Sequence, residues 1–255
     1  MKTFYFTATG NSLYVAKRIG GELHSIPHMI KAGKYTFEDE AIGFAFPCYS
    51  LGVPRMVAEF ILESKLKAEY FFAVMTYGNM AAGGLKQMEE IGAKANIRFN
   101  YVNEILMIDN YLPVFNIEKE LKKEASKKIE ENLGKIVSDI EGRQNNTISK
   151  NFAVGMLSKL IYHSYNKNHA SEDKKFIVLE DCNNCKVCEK VCPRNNIKVK
   201  EKPGFSHNCE SCYACIHHCP QQAIILKKER SRARFINRNV ELKEIIAANN
   251  SCGEI

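Results

Sequence analysis

Two cysteine runs near one end of the chain repeat a single spacing. They read CNNCKVCEKVCP from Cys182 to Pro193 and CESCYACIHHCP from Cys209 to Pro220. Each is C-x2-C-x2-C-x3-C-P, and corresponding cysteines stand 27 residues apart (209 − 182). The spacing requires several thiolates to converge on one compact centre. Two-residue intervals wrap the backbone around that centre and let amide N–H groups point at the sulfurs, while Pro193 and Pro220 turn the chain after the fourth cysteine.

This is the spacing of iron–sulfur ligation, in which the fourth cysteine of each run crosses to the other cluster of a two-cluster module. One [4Fe-4S] cluster is then expected on Cys182, Cys185, Cys188 and Cys219, and the other on Cys209, Cys212, Cys215 and Cys192. A zinc ribbon also uses C-x2-C pairs, but it needs four ligands per site and gives no reason for a third two-residue interval or a trailing proline. His217 and His218, inside the second run, are expected to fill variable positions rather than to bind metal. Residues 180–226 resemble the bacterial two-cluster ferredoxin domain, with Asn195–Val199 and Ala223–Leu226 where that family has short strands.

Of ten cysteines, eight fall within residues 182–219, leaving Cys48 and Cys252 apart. A disulfide framework would spread its cysteines and would need an oxidising compartment. No run approaches the about 18 apolar residues of a membrane span. The N-terminus turns polar at Thr7 after a short apolar run, unlike a secretory signal, so a cytoplasmic location is expected. The formal charge of +7 would suggest nucleic acid, but two clusters at about −2 each and a cofactor phosphate at about −2 would bring it to about +1. Nucleic acid is therefore not an expected partner.

The first part of the chain alternates strand and helix patterns. Thr3–Phe6, Ala41–Phe46, Tyr70–Tyr77 and Tyr101–Ile108 are β-type runs, two of them nearly continuous in apolar residues, as strands buried on both faces are. Residues near His24–Ile30 are expected to supply the second strand. Helical spacing appears at Leu13, Ala16, Ile19 and Leu23, over Arg55–Ser64, and over Gly84–Ala95. This rhythm predicts an α/β fold with a doubly wound parallel sheet, followed by a small α+β cluster domain. Residues 118–141 read as one amphipathic helix with a solvated Glu/Lys face, and 152–166 as another. The expected division is a sheet domain at 1–146, a helical linker at 147–175, and a cluster domain with a basic tail at 176–255. In that tail Lys227–Arg238 is expected to be a solvated segment folding back over the cluster domain, with docking of an acidic partner as the next reading.

In an open α/β sheet, ligands bind beyond the carboxyl ends of the strands. Three loops there carry suitable groups. Thr7–Ser12 (TATGNS) joins a strand to a helix whose N–H groups suit a phosphate. It offers Thr7, Thr9, Gly10, Asn11 and Ser12, and it is neither a Walker loop nor G-x-G-x-x-G. It resembles the flavodoxin loop that holds the terminal phosphate of FMN. After the expected third and fourth strands, Ala41–Phe46 and Tyr70–Tyr77, come Pro47–Pro54, with Pro47, Tyr49, Ser50 and Gly52, and Thr76–Gly84, with Thr76, Tyr77, Gly78, Asn79 and Gly83. The flavodoxin resemblance implies that Tyr49 and Tyr77 flank the isoalloxazine ring. Cys48 reads as a small buried residue.

Nearly the whole chain resembles the EFR-type family, flavodoxin-like proteins fused to a two-cluster ferredoxin domain. That likeness implies FMN, two [4Fe-4S] clusters and electron transfer to or from a reductase or ferredoxin-type protein. No Ser–His–Asp set, paired catalytic carboxylates or nicotinamide fingerprint is visible, so an electron carrier is expected before a substrate-specific enzyme. The competing reading is a redox-sensing or partner-binding module with structural clusters.

Overall fold

A computed structural model describes residues 1–146, 161–167 and 169–250. Its first strands and helices are β1 (Lys2–Tyr5), α1 (Asn11–Ile19), β2 (Glu22–Ser25), α2 (Ile26–Lys31), β3 (Thr36–Glu38), β4 (Ala41–Pro47) and α3 (Arg55–Glu63). Then follow β5 (Lys65–Lys67), β6 (Tyr70–Tyr77), α4 (Gly84–Lys94), β7 (Tyr101–Leu106), α5 (Ile117–Lys122) and α6 (Ile129–Glu141). The main sheet has the order β2-β1-β4-β6-β7, all parallel. With the short separate pair β3–β5 set aside, that is the 2-1-3-4-5 order of flavodoxin-like folds. β4 and β6 run at its centre, and their apolar side chains feed both faces. α1 and α6 cover one face through Val15, Ala16, Leu133 and Ile136. α2, α3 and α4 cover the other through Met29, Phe60, Ile61 and Met88.

The second strand arrives earlier than expected, at Glu22–Ser25, and residues 26–31 are helical. Ser25 accepts the His28 N–H, and Pro27 sits in the first turn, an arrangement that starts a helix and stops a strand. Leu23 does not belong to the α1 stripe; it lies on the edge strand. α1 ends because Gly20 and Gly21 take φ of 83° and 80°. A Cβ on Gly21 would meet the Met1 carbonyl oxygen at 2.7 Å.

Residues 118–141 are not one helix. α5 stops at Lys122, a 3₁₀ turn covers Ala125–Lys127, and Lys128 at φ 47° separates it from α6. Nor do all the charges face water. Glu120 and Lys127 are 3% and 5% exposed and stand 3.9 Å apart, and Lys127 Nζ donates to the Gly78 carbonyl at 2.9 Å. The break carries Lys127 beneath the loop after β6, which a continuous helix could not do.

A helix covers residues 161–167, here α7. Of the apolar stripe expected there, Ile161 is exposed, and Phe152, Met156, Leu157 and Leu160 lie outside the described residues, as does Cys252. The cluster region contains β8 (Phe176–Val178), α8 (Val187–Lys190), β9 (Ile197–Val199), β10 (Pro203–Phe205), α9 (Ala214–His217), β11 (Ile224–Leu226) and α10 (Leu242–Asn249). β8 pairs antiparallel with β11, and β9 with β10. Ile245 and Ala248 of α10, with Val191 and Ala214, join the apolar cluster on the α1 face of the sheet. The two regions therefore share a core.

Candidate functional site

The sequence duplication is also a backbone duplication. Left-handed residues recur in pairs at the 27-residue offset: Asn184 and Ser211 (φ 57° and 55°), Lys186 and Tyr213 (61° and 56°), Asn195 and Gln222 (52° and 48°). Lys186 and Tyr213 each precede a one-turn helix, α8 and α9. Backbone N–H groups turn onto sulfur as well. Asn196 donates to Cys192 Sγ and Ala223 to Cys219 Sγ, both at 3.3 Å, and Ser211 donates to Cys209 Sγ at 3.2 Å.

Cysteines from the two runs are interleaved. Cys182, Cys185 and Cys188 line one cavity together with Cys219 of the other run. Cys209, Cys212 and Cys215 lie within electrostatic reach of one another and of Cys192. Burial pushes the Cys188 and Cys209 thiols up to about 12, and the neighbouring cysteines add to it. Thiols so placed stay protonated until a positively charged centre draws the proton off. Among the described residues no three His, Cys, Asp or Glu side chains close on a single metal ion; the first four sulfurs surround a cavity, which fits a cluster better than a zinc ion. The two sets differ in exposure. Cys185 is exposed, Cys182 and Cys219 are half-buried and Cys188 is buried, whereas Cys192, Cys209 and Cys215 are buried and Cys212 is half-buried.

The second set sits against the carboxyl edge of the sheet. Glu210, with a fully buried side chain, accepts the Met56 N–H at the start of α3 at 3.0 Å and pairs with Arg194 at 2.6 Å. Arg194 reaches on to Glu59 at 2.8 Å. Tyr162 and Tyr165 of α7 donate to the Val53 and Glu210 carbonyls.

The TATGNS loop is buried throughout, with Thr7, Thr9, Asn11 and Ser12 at 2%, 3%, 8% and 1% exposure. Its outer side is covered by the cluster region. Asn237 N–H donates to Thr9 O at 2.8 Å, and its side chain donates to Asn11 Oδ1 at 3.0 Å. His218 Nε2 donates to Ala8 O at 2.9 Å, and Asn249 Nδ2 bridges Thr7 O and Val191 O at 3.3 and 3.1 Å. Gly10, at φ 103°, leaves the space that Asn237 and Val240 fill. His217 accepts the Phe235 N–H at Nδ1, so its proton lies on Nε2, which donates to Asn110 O at 3.0 Å. Burial drives its pKa down to about 3. Neither histidine is a mere filler; both tie the second cysteine run to the sheet. Nor is Lys227–Arg238 wholly solvated, since Phe235 and Asn237 are buried and Arg234 pairs with Glu229.

The inner side of the loop keeps unused donors. Among the described residues the N–H groups of Asn11, Ser12 and Leu13, at the start of α1, meet no acceptor. Orphaned N–H groups on buried residues are costly without a partner. An anion at this helix start satisfies them, with the Thr7, Thr9 and Ser12 hydroxyls alongside, so the donor set fits a phosphate. The other two loops lie side by side: Cys48 N–H donates to Thr76 O at 2.8 Å, and Gly84 and Gly52 pack closely. Tyr49 and Gly52 exchange backbone bonds around Ser50 and Leu51, both left-handed. Pro47 ends β4, Gly83 precedes α4, and Asn79 donates to Asp109 Oδ2 at 3.0 Å. Tyr49 is packed edge-on to Phe6, its hydroxyl buried without a partner among the described residues, and electrostatically near Cys212. Tyr77 is half-buried. Cys48 is half-buried, and desolvation pushes its thiol up to about 12.

Asn237, Asn249, Glu210 and Arg194 escape sequence reasoning. Their residue types are ordinary for exposed loops, and no local pattern marks them as buried.

Residues 133–238 match the family model described as a 4Fe-4S dicluster domain. The chain thus joins a flavodoxin-like sheet to a region similar to 4Fe-4S dicluster domains. No curated protein matches it. Among solved structures, a putative flavoprotein from Bacteroides uniformis is similar at 13% identity and a TM-score of 0.33, covering 47% of this chain and 94% of its own. The Trp repressor binding protein from Bacillus subtilis is similar at 11% identity and 0.34, covering 58% of this chain and 99% of its own. The fold class rests on the strand order itself. Among the described residues no helix is long and apolar enough to cross a membrane.

Proposed function

We propose that this protein is a cytoplasmic electron carrier of the EFR type, pairing two [4Fe-4S] clusters with FMN and exchanging electrons with a reductase or ferredoxin-type partner. One observation carries the reading: three cysteines of the first run share a cavity with the last cysteine of the second. Bound clusters supply one-electron steps and a flavin supplies one- or two-electron steps. The chain's residues hold and separate these functions. Cys182, Cys185, Cys188 and Cys219 form the set that reaches solvent at Cys185, where a partner protein has access. Cys192, Cys209, Cys212 and Cys215 form the set pressed against the sheet edge. Thr7, Thr9, Ser12 and the N–H groups of Asn11–Leu13 are the proposed phosphate donors. Pro47, Tyr49, Ser50, Gly52, Thr76, Tyr77, Gly78, Asn79 and Gly83 are the proposed surroundings of the ring system.

The closing test is anaerobic purification with iron, sulfide and flavin quantification, then rapid reduction of the clusters with flavin absorbance followed at several protein concentrations. Eight iron atoms, one FMN and a concentration-independent rate are expected. FAD in place of FMN, or a rate that scales with concentration, would refute the carrier as described. A redox sensor with structural clusters would retain its clusters but pass no electrons to flavin.

A further inference from the structure

Lys31, the last residue of α2, is a half-buried ammonium that pairs with no carboxylate among the described residues. Its Nζ donates to the backbone carbonyl of Asn249, at the end of α10. Asn249 is fully buried, and its side chain donates to Val191 O, the residue before Cys192. Lys31 is thereby fixed beside the peptide that presents the crossed cysteine, and its charge reaches Cys192. The other cation at this set, Arg194, is committed to Glu210 and Glu59. The buried acid near Cys209, Asp173, is held by Asn196 and His207. An ammonium drawn out of water needs a counter-charge. A four-iron cluster with its thiolates, at about −2, supplies one.

We propose that Lys31, a residue of the sheet domain, raises the reduction potential of the cluster held by Cys192, Cys209, Cys212 and Cys215. This inference rests on the two-cluster reading. The added electron makes the cluster more negative, and a fixed neighbouring cation stabilises that state over the oxidised one. In the cavity set, Cys188 feels its neighbouring cysteines and not Lys31. The sheet domain therefore acts on the potential of one cluster only, as a positioning and tuning element that a free ferredoxin module would lack.

The test is an anaerobic redox titration of the full-length protein followed by electron paramagnetic resonance. The two signals are told apart by the one lost in Cys192→Ala. In Lys31→Met the second-set signal should require a lower potential, its one-electron reduction equilibrium weakened by about tenfold, or about 59 mV. The first-set signal should stay where it is. Lys31→Arg, which keeps the charge, should restore the wild-type value. No shift in Lys31→Met, an equal shift of both signals, or a shift of the same size in Lys31→Arg overturns the proposal. Wild-type protein holding fewer than two clusters by iron and sulfide content would instead overturn the two-cluster reading beneath it.

Discussion

Replacing Gly10 by alanine tests whether the cluster region is clasped onto the TATGNS loop. Gly10 has φ 103° and ψ −16°, a left-handed region that costs an L-residue about 1–2 kcal/mol. The added Cβ would stand 2.9 Å from Asn237 Cβ and 3.1 Å from Val240 Cβ. Neither atom is the free end of a flexible side chain, and Asn237 is held by its own bond to Thr9 O. Crowding of this kind adds about 1–3 kcal/mol. Gly10→Ala should therefore lose about 2–5 kcal/mol of stability in anaerobic guanidinium unfolding. It should also expose residues 235–249 to limited proteolysis. Asn237→Gly removes the nearest atom, so the double variant should recover the crowding share and leave the backbone share, a coupling that a double-mutant cycle reads directly. A loss below about 1 kcal/mol, or no recovery in the double variant, refutes the clasp. Lost flavin with unchanged stability and proteolysis would show that the glycine serves the phosphate alone.

Cys192→Ala should chiefly remove the cluster of Cys209, Cys212 and Cys215; spectroscopic loss confined to the Cys182 set would disprove the crossed arrangement. Arg194→Ala leaves the Glu210 carboxylate buried without its cation and should cost about 3–5 kcal/mol, read as a lower denaturation midpoint. His217 titrates at about 6.5 when unfolded and at about 3 when folded, so between these values the unfolded chain binds the extra proton. Its contribution is complete above about pH 6.5 and declines as pH falls toward 3; the unfolding midpoint should drop between about pH 7.5 and pH 5.5, and drop less in His217→Gln.

The parts of the molecule written in strong local pattern were legible. Continuous apolar runs marked β4 and β6 because a parallel strand buried on both faces has no polar alternation to hide it. The cysteine intervals marked the duplicated backbone, because ligand spacing is a backbone constraint. What stayed hidden depends on contacts made at long range. β2 is a short edge strand with Glu22 and Leu23 exposed, and its end is decided by the Ser25 cap. The break between α5 and α6 depends on a place for Lys127 under Gly78, which no helical periodicity records. The roles of His217 and His218 require knowing that the second cysteine run lies on the sheet edge.

On the two-cluster reading proposed above, the interleaving of the cysteines also sets an order of events at the ribosome. The first run cannot close its own set until Cys219 has emerged, although Cys182, Cys185 and Cys188 have long been available. The second set waits equally long, since its own run must join Cys192. The sheet domain can fold meanwhile, because domains fold as units in the order they are made, but its loop stays uncovered until residues 235–249 leave the exit tunnel. Cluster loading and sealing of the loop would thus both wait on the second cysteine run and the residues that follow it. A chain interrupted anywhere before Cys219 would present a folded sheet and no complete four-cysteine set.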